Sequence, residues 1–145
     1  MIEPSKQLQK IFDSSVEITK SYNHRLITLE HLIFAIVADK ESSAGLKEYG
    51  ADVDYIKSNL DHYLKNNLKD IESTDKTLPR KTNSVERVLN RCFTQVLFSG
   101  RNQMEIADVI VSVLSEKNSF AFYFLTKGGI IKEKFVQHFQ KHYIE

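Results

Sequence analysis

Tryptophan is absent from this chain of 145 residues, cysteine occurs once, proline twice and glycine five times. The lone Cys92 cannot close an internal disulfide, which fits a reducing compartment. So little proline and glycine favours helices over tight turns. Neither sign of charge dominates, with 20 basic against 19 acidic side chains and a net charge of +1. The chain therefore has no overall field to draw nucleic acid or an acidic membrane. No apolar run approaches the ~18 residues of a membrane span. The first twenty residues contain Glu3, Asp13 and Glu17 and lack the apolar stretch of a signal peptide. A cytoplasmic chain with neither nucleic-acid nor membrane partners is expected.

Catalytic patterns are missing too. There is no glycine-rich phosphate loop closed by Lys-Ser or Lys-Thr, no His-Glu-x-x-His and no Gly-x-Ser-x-Gly elbow. Cys92 lies in the apolar stretch Val88–Phe93 with no evident base, which reads as a buried small hydrophobe rather than a nucleophile. His24 and His31 flank the start of one helix. Two loosely spaced histidines and one cysteine make a weak zinc signal, so they read as surface or helix-end residues. His62, His138 and His142 stand among charges and read as solvated, the last two favouring a helix C-terminal dipole. The expectation is a non-enzymatic protein with no cofactor and no metal.

What is present is helical periodicity. Hydrophobic residues make up 41% of the chain and charged ones 27%, enough apolar content for a core. Leu8, Ile11, Phe12, Ser15, Ile18 and Tyr22 fall at steps of three and four along a first helix. Thr28 can cap a second, carrying Leu29, Leu32, Ile33, Ile36 and Val37, with Glu30 at its positive end. A third, near Ser42 to Tyr49, stops at Gly50, and a fourth carries Val53, Ile56, Leu60, Tyr63 and Leu64 on one face. The polar stretch from Asn66 to Arg80 reads as an exposed linker.

The pattern then recurs. Val85, Val88, Leu89, Cys92, Phe93 and Val96 match the first helix, and Ile106 to Leu114 the second. Ala121, Phe124 and Leu125 before Gly128-Gly129 match the third, and Ile131, Phe135, Val136 and Phe139 the fourth. The period is roughly 78 residues. Units this short bury little alone. The expected fold class is all-α: two pseudo-symmetric four-helix repeats packed as one globular domain over 1–145, with repeat one at 1–66, a linker at 67–83 and repeat two at 84–145.

The run Ile27-Thr28-Leu29-Glu30-His31-Leu32-Ile33-Phe34-Ala35-Ile36 resembles the Glu-His-Leu-Leu signature of Clp N-terminal domains. Arg87-Val88-Leu89-Asn90-Arg91, Ser99-Gly100-Arg101-Asn102 and Ser115-Glu116-Lys117-Asn118-Ser119 resemble the ClpA branch. The resemblance implies an accessory domain on an ATP-driven ring that feeds the ClpP protease. It implies docking of a ClpS-like adaptor, protein substrates, or both. By the same resemblance the contact residues are His24, Arg25, Glu30, Thr82, Arg87 and Asp108. Arg25 stands where ClpA relatives carry an acid, Glu30 matches the signature Glu, and Thr82 matches a threonine before the fifth helix. Glu30 and Asp108 hold the positions that receive phosphorylated arginine in ClpC-like relatives. From their spacing, Arg87 and Arg91 read as a solvated charged face. A stand-alone protein that modulates a Clp protease is the alternative, and a small metal- or histidine-dependent enzyme a remote third.

Overall fold

The computed structural model describes residues 1–73 and 77–140. Its helices start where the sequence supplies caps. Ser5, Thr28, Asp39, Asp52, Thr82 and Ser119 each accept a backbone N–H from the first turn that follows. The helices are α1 (Lys6–Ser21), α2 (Leu29–Ala38), α3 (Lys40–Tyr49), α4 (Val53–Asn66), α5 (Asn83–Phe98), α6 (Ile106–Val113), α7 (Phe120–Lys127) and α8 (Lys132–Gln140). Gly50 ends α3 at φ 111, and Gly129 takes φ 96 after α7, where a side chain would be strained. The all-α class holds, with four two-residue strands added.

Those strands bind the repeats to each other. They are β1 (Glu3–Pro4), β2 (Leu26–Ile27), β3 (Arg80–Lys81) and β4 (Gln103–Met104). β1 pairs in parallel with β4, and β2 with β3. Thus the segment entering the first helix of each repeat pairs with the segment entering the second helix of the other. The core is likewise shared. α2 is buried nearly all round, at Leu29, Leu32, Ile33, Ala35, Ile36 and Val37, and packs on α1, α3 and α4 of its own repeat and α6 and α7 of the other. Burying a Leu or Ile side chain contributes about 1.5–3 kcal/mol, so this single helix carries much of the apolar stabilisation.

The stretch expected to be a linker is pinned at several points. Residues Lys69–Ile71 form a 3-10 turn. Arg25 N–H donates to Ile71 O at 2.8 Å, Ser73 N–H to Asn23 O at 2.7 Å and Arg80 N–H to Arg25 O at 3.1 Å. Its last residues belong to β3 and to the start of α5. Close packing also fixes Gly128, where a Cβ would meet Ile56 Cγ1 at 2.4 Å and Cδ1 at 2.5 Å. His142 lies outside the described residues. Among the described residues no helix is long and apolar enough to cross a membrane.

Candidate docking site

Through their first two helices the two repeats match at one constant offset along the chain, and the match reaches single side chains. Ser5 and Thr82 cap the first helices, and the salt bridge Lys10–Asp39 is echoed by Arg87–Glu116. In α2, His31 Nδ1 accepts the Thr28 N–H at 2.9 Å; in α6, Asp108 Oδ2 accepts the Glu105 N–H at 2.8 Å. Asp108 is therefore the counterpart of His31, and Ala107 is the counterpart of Glu30. This corrects the expectation that paired Glu30 with Asp108. Aligning by acidic character slips the register by one, whereas the capping bond fixes it.

A groove of about 470 Å³ opens where α2, α5 and the α6–α7 connection meet. Thr28 and Glu30 come from the first, Thr82, Ser84 and Arg87 from the second, and Ser115 to Phe120 from the third, with Tyr63 of α4 closing one side. Glu30 is only 7% exposed. Its Oε2 accepts the Ala121 N–H at 2.8 Å, so a carboxylate of repeat one caps a helix of repeat two. Burial raises its pKa, opposed by backbone N–H donors from Ala121, Glu30 and Phe120 and by the Thr28 hydroxyl. Burial, with the Glu30 charge, also pushes the nearby Tyr63 phenol up to about 12.

The opposite wall holds a guanidinium clamp. Arg87 Nε and Nη2 reach the two Glu116 oxygens at 3.1 and 2.5 Å. Arg91 Nη1 reaches Oε2 at 3.0 Å and its Nε meets Ser112 Oγ at 3.2 Å. The Arg87 bond foremost holds the Glu116 carboxyl below its usual range. Arg87 and Arg91 are thus not simply a solvated face: Arg87 is half exposed but paired, and Arg91 is largely covered. At the groove mouth Phe120, 49% exposed, stacks on Tyr63 with ring centroids 4.6 Å apart, and Tyr123 stands exposed beside them on α7.

Of the six residues expected at the contact, Glu30, Thr82 and Arg87 meet in this groove. His24 does not line it, and is 5% exposed where a surface or helix-end residue was expected. His31 is wholly buried. Arg25 is exposed on the neighbouring edge, its guanidinium donating to Asp70 O at 3.1 Å. Asp108 lies away from the groove, held by Arg101 through bonds of 3.0 and 2.6 Å. His62 is exposed as expected, while His138 is half-buried and rings with Tyr49. Cys92 is 1% exposed, and burial pushes its thiol up to about 12. Sequence reasoning missed Tyr63 and Phe120 as groove residues, because an aromatic on a helix's apolar face or beside a cap reads the same whether it is core or rim.

The equivalent groove in the other half is about 240 Å³ and apolar, lined by Ala107, Ile106, Ile110 and Phe135 with Glu105 and Gln7. A wider depression of about 860 Å³ between α1 and the α2–α3 junction is rimmed by Lys10, Lys40, Asp13, Glu17 and Glu41, charges of both signs. Of these three, the groove at Glu30 combines a polar floor with an exposed aromatic wall.

A family model described as the Clp repeat (R) N-terminal domain matches residues 3–128. The chain belongs to this family. The match to the Clp N domain runs from β1 through α7. A ClpA homolog protein of Fuscovulum blasticum is 27% identical over 129 residues, which are 88% of this chain and 16% of that protein. The Clp N domain thus spans a small part of that relative's length. The Hsp104 N-terminal domain of Candida albicans has TM-score 0.78 at 10% identity, covering 97% of this chain and 91% of that one. A ClpV N-domain in complex with a VipB peptide has TM-score 0.72 at 17% identity, covering 94% and 84%. At such identities the likeness is one of fold.

Proposed function

We propose that this Clp N domain is the non-catalytic docking domain of a ClpA-type unfoldase in the cytoplasm. In this reading the groove at Glu30, Thr82 and Arg87 receives a ClpS-type adaptor or a protein substrate. One observation carries it: three contact residues implied by resemblance to ClpA, Glu30 from α2 of one repeat and Thr82 and Arg87 from the start of α5 in the other, line a single groove. An exposed aromatic pair, a guanidinium and several hydroxyls suit a modest, partly polar protein interface. The ClpV N-domain seen with a peptide supports peptide capture on this fold. ATP hydrolysis and proteolysis would belong to the ring and to ClpP.

The test is a calorimetric titration with a ClpS-type adaptor, comparing wild type with Phe120→Ser and Arg87→Glu. Both changes lie on the groove rim, whereas Glu30 also holds α7 and would confound fold with contact. Saturable one-to-one binding, weakened about tenfold or more (~1.4 kcal/mol) by each variant, is expected. Binding unchanged in both variants would move the site elsewhere, and absence of binding by the wild type would remove the adaptor reading.

A further inference from the structure

Two buried imidazoles sit behind the groove and take no direct part in it. His24 Nδ1 and His31 Nε2 are 2.8 Å apart, and His31 Nδ1 lies 2.9 Å from the Thr28 nitrogen. A backbone N–H only donates, so Nδ1 of neutral His31 is an acceptor and its proton sits on Nε2. That proton goes to His24 Nδ1. The result is a directed chain from the Thr28 N–H through His31 to His24.

The chain accommodates another proton poorly. On His24 Nδ1 it would face the Nε2–H of His31. On His31 Nδ1 it would meet the Thr28 hydroxyl oxygen, 2.8 Å away, but would displace the Thr28 N–H from that nitrogen. Each protonated form therefore loses one link of the neutral chain.

Among the described residues none supplies a counter-charge to either ring by hydrogen bond. Tyr22 of α1 stacks on His24 with centroids 5.7 Å apart and gives its proton to Asp61 of α4 at 2.5 Å. Glu72 pairs with His24 through the backbone, and its charge only partly offsets the burial that lowers His24. Arg25 turns to a backbone carbonyl and Glu30 to α7. Burial first, then the neighbouring His24, holds His31 down at about 3. In the other repeat the same two positions carry Arg101 and Asp108, an ion pair with no imidazole.

We propose that the His24–His31 pair is an acid-sensitive latch on the start of α2, which the second repeat replaces with a fixed ion pair. Because Thr28 and Glu30 line the groove, opening the latch loosens the proposed docking face, a consequence that rests on the reading above. The latch itself does not depend on that reading. Opening returns both rings to water, where they take up protons below about pH 6.5, so acid favours the open form. Glu30 works in the opposite sense, since its raised pKa favours the closed form in acid.

Amide hydrogen exchange tests this within one molecule. The Thr28 and His31 amides are compared with their counterparts, the Glu105 and Asp108 amides, at pH 7.5 and 5.5, after correction for the chemical exchange rate. The opening equilibrium at Thr28 and His31 should rise about tenfold or more from pH 7.5 to 5.5 relative to the other pair. An equal response in both halves would overturn the latch. His24→Arg combined with His31→Asp copies the second repeat's pair and should abolish the difference; a difference that persists in the folded variant would also overturn it. If that variant does not fold, the wild-type comparison decides alone. Adaptor titration at both pH values is a separate arm. Failure to bind at either pH would remove the docking reading while the exchange result still decides the latch.

Discussion

Among the described residues Glu30 has no counter-ion; its partners are the N–H groups at the start of α7, its own N–H and the Thr28 hydroxyl. Glu30→Ala would leave them buried without an acceptor, at a cost of about 1–3 kcal/mol in urea denaturation. Its pH dependence has a definite sign. The folded pKa lies above the ordinary 4.5, so this residue adds stability below that value and loses it as pH rises through the folded pKa. Glu30→Gln, always neutral, should lack that component when the two urea midpoints are compared across pH 4 to 7. Cys92 gives a second residue-scale test. Buried and held as a thiol, it should stay unreactive to a thiol reagent in the native protein and react at the unfolding rate. Burial of Cys92 was legible from its apolar helical neighbours. The role of Glu30 was not: its place at a helix start showed, but the helix it caps lies in the other repeat.

Helices were the most legible elements, because period and caps agree along the chain. Thr82 illustrates the limit: it was placed before α5, yet inside a linker, while the structure makes it the cap of α5. Thr82→Ala should lower stability by about 0.5–2 kcal/mol, and Thr82→Ser should retain most of it. Gly128 was read only as a helix stop. It is also the point where the α7–α8 turn meets α4, with Asp52 N–H donating to Gly128 O at 2.8 Å. Gly128→Ala should cost about 1–3 kcal/mol through overpacking on Ile56. Ile56→Val in the same chain, lacking Cδ1, should recover part of that cost in a double-mutant cycle. The two-residue strands left no trace in the sequence, since such short segments show no alternation.

At the scale of the whole molecule, crossed strands and a shared α2 leave neither repeat a separate set of contacts. We expect one cooperative transition, with amides of α1–α4 and α5–α8 losing protection together. Ile33→Ala, at a fully buried position in α2, should cost about 2–5 kcal/mol and lower protection in both halves equally. Separate transitions would show instead that the repeats fold as independent units.

The sequence by itself determined the helices, the duplicated pattern and the absence of recognised catalytic motifs, because periodicity, caps and motif spacing are local. It also carried, through Glu30-His31 and the second-half motifs, the likeness to Clp N domains. Only the tertiary structure decided that Asp108 answers to His31 rather than Glu30, that Glu30 caps the opposite repeat, and that Tyr63 and Phe120 form one wall. The first is read from a side-chain capping bond that residue types alone do not disclose; the other two are contacts between residues distant along the chain, fixed by how the two repeats pack.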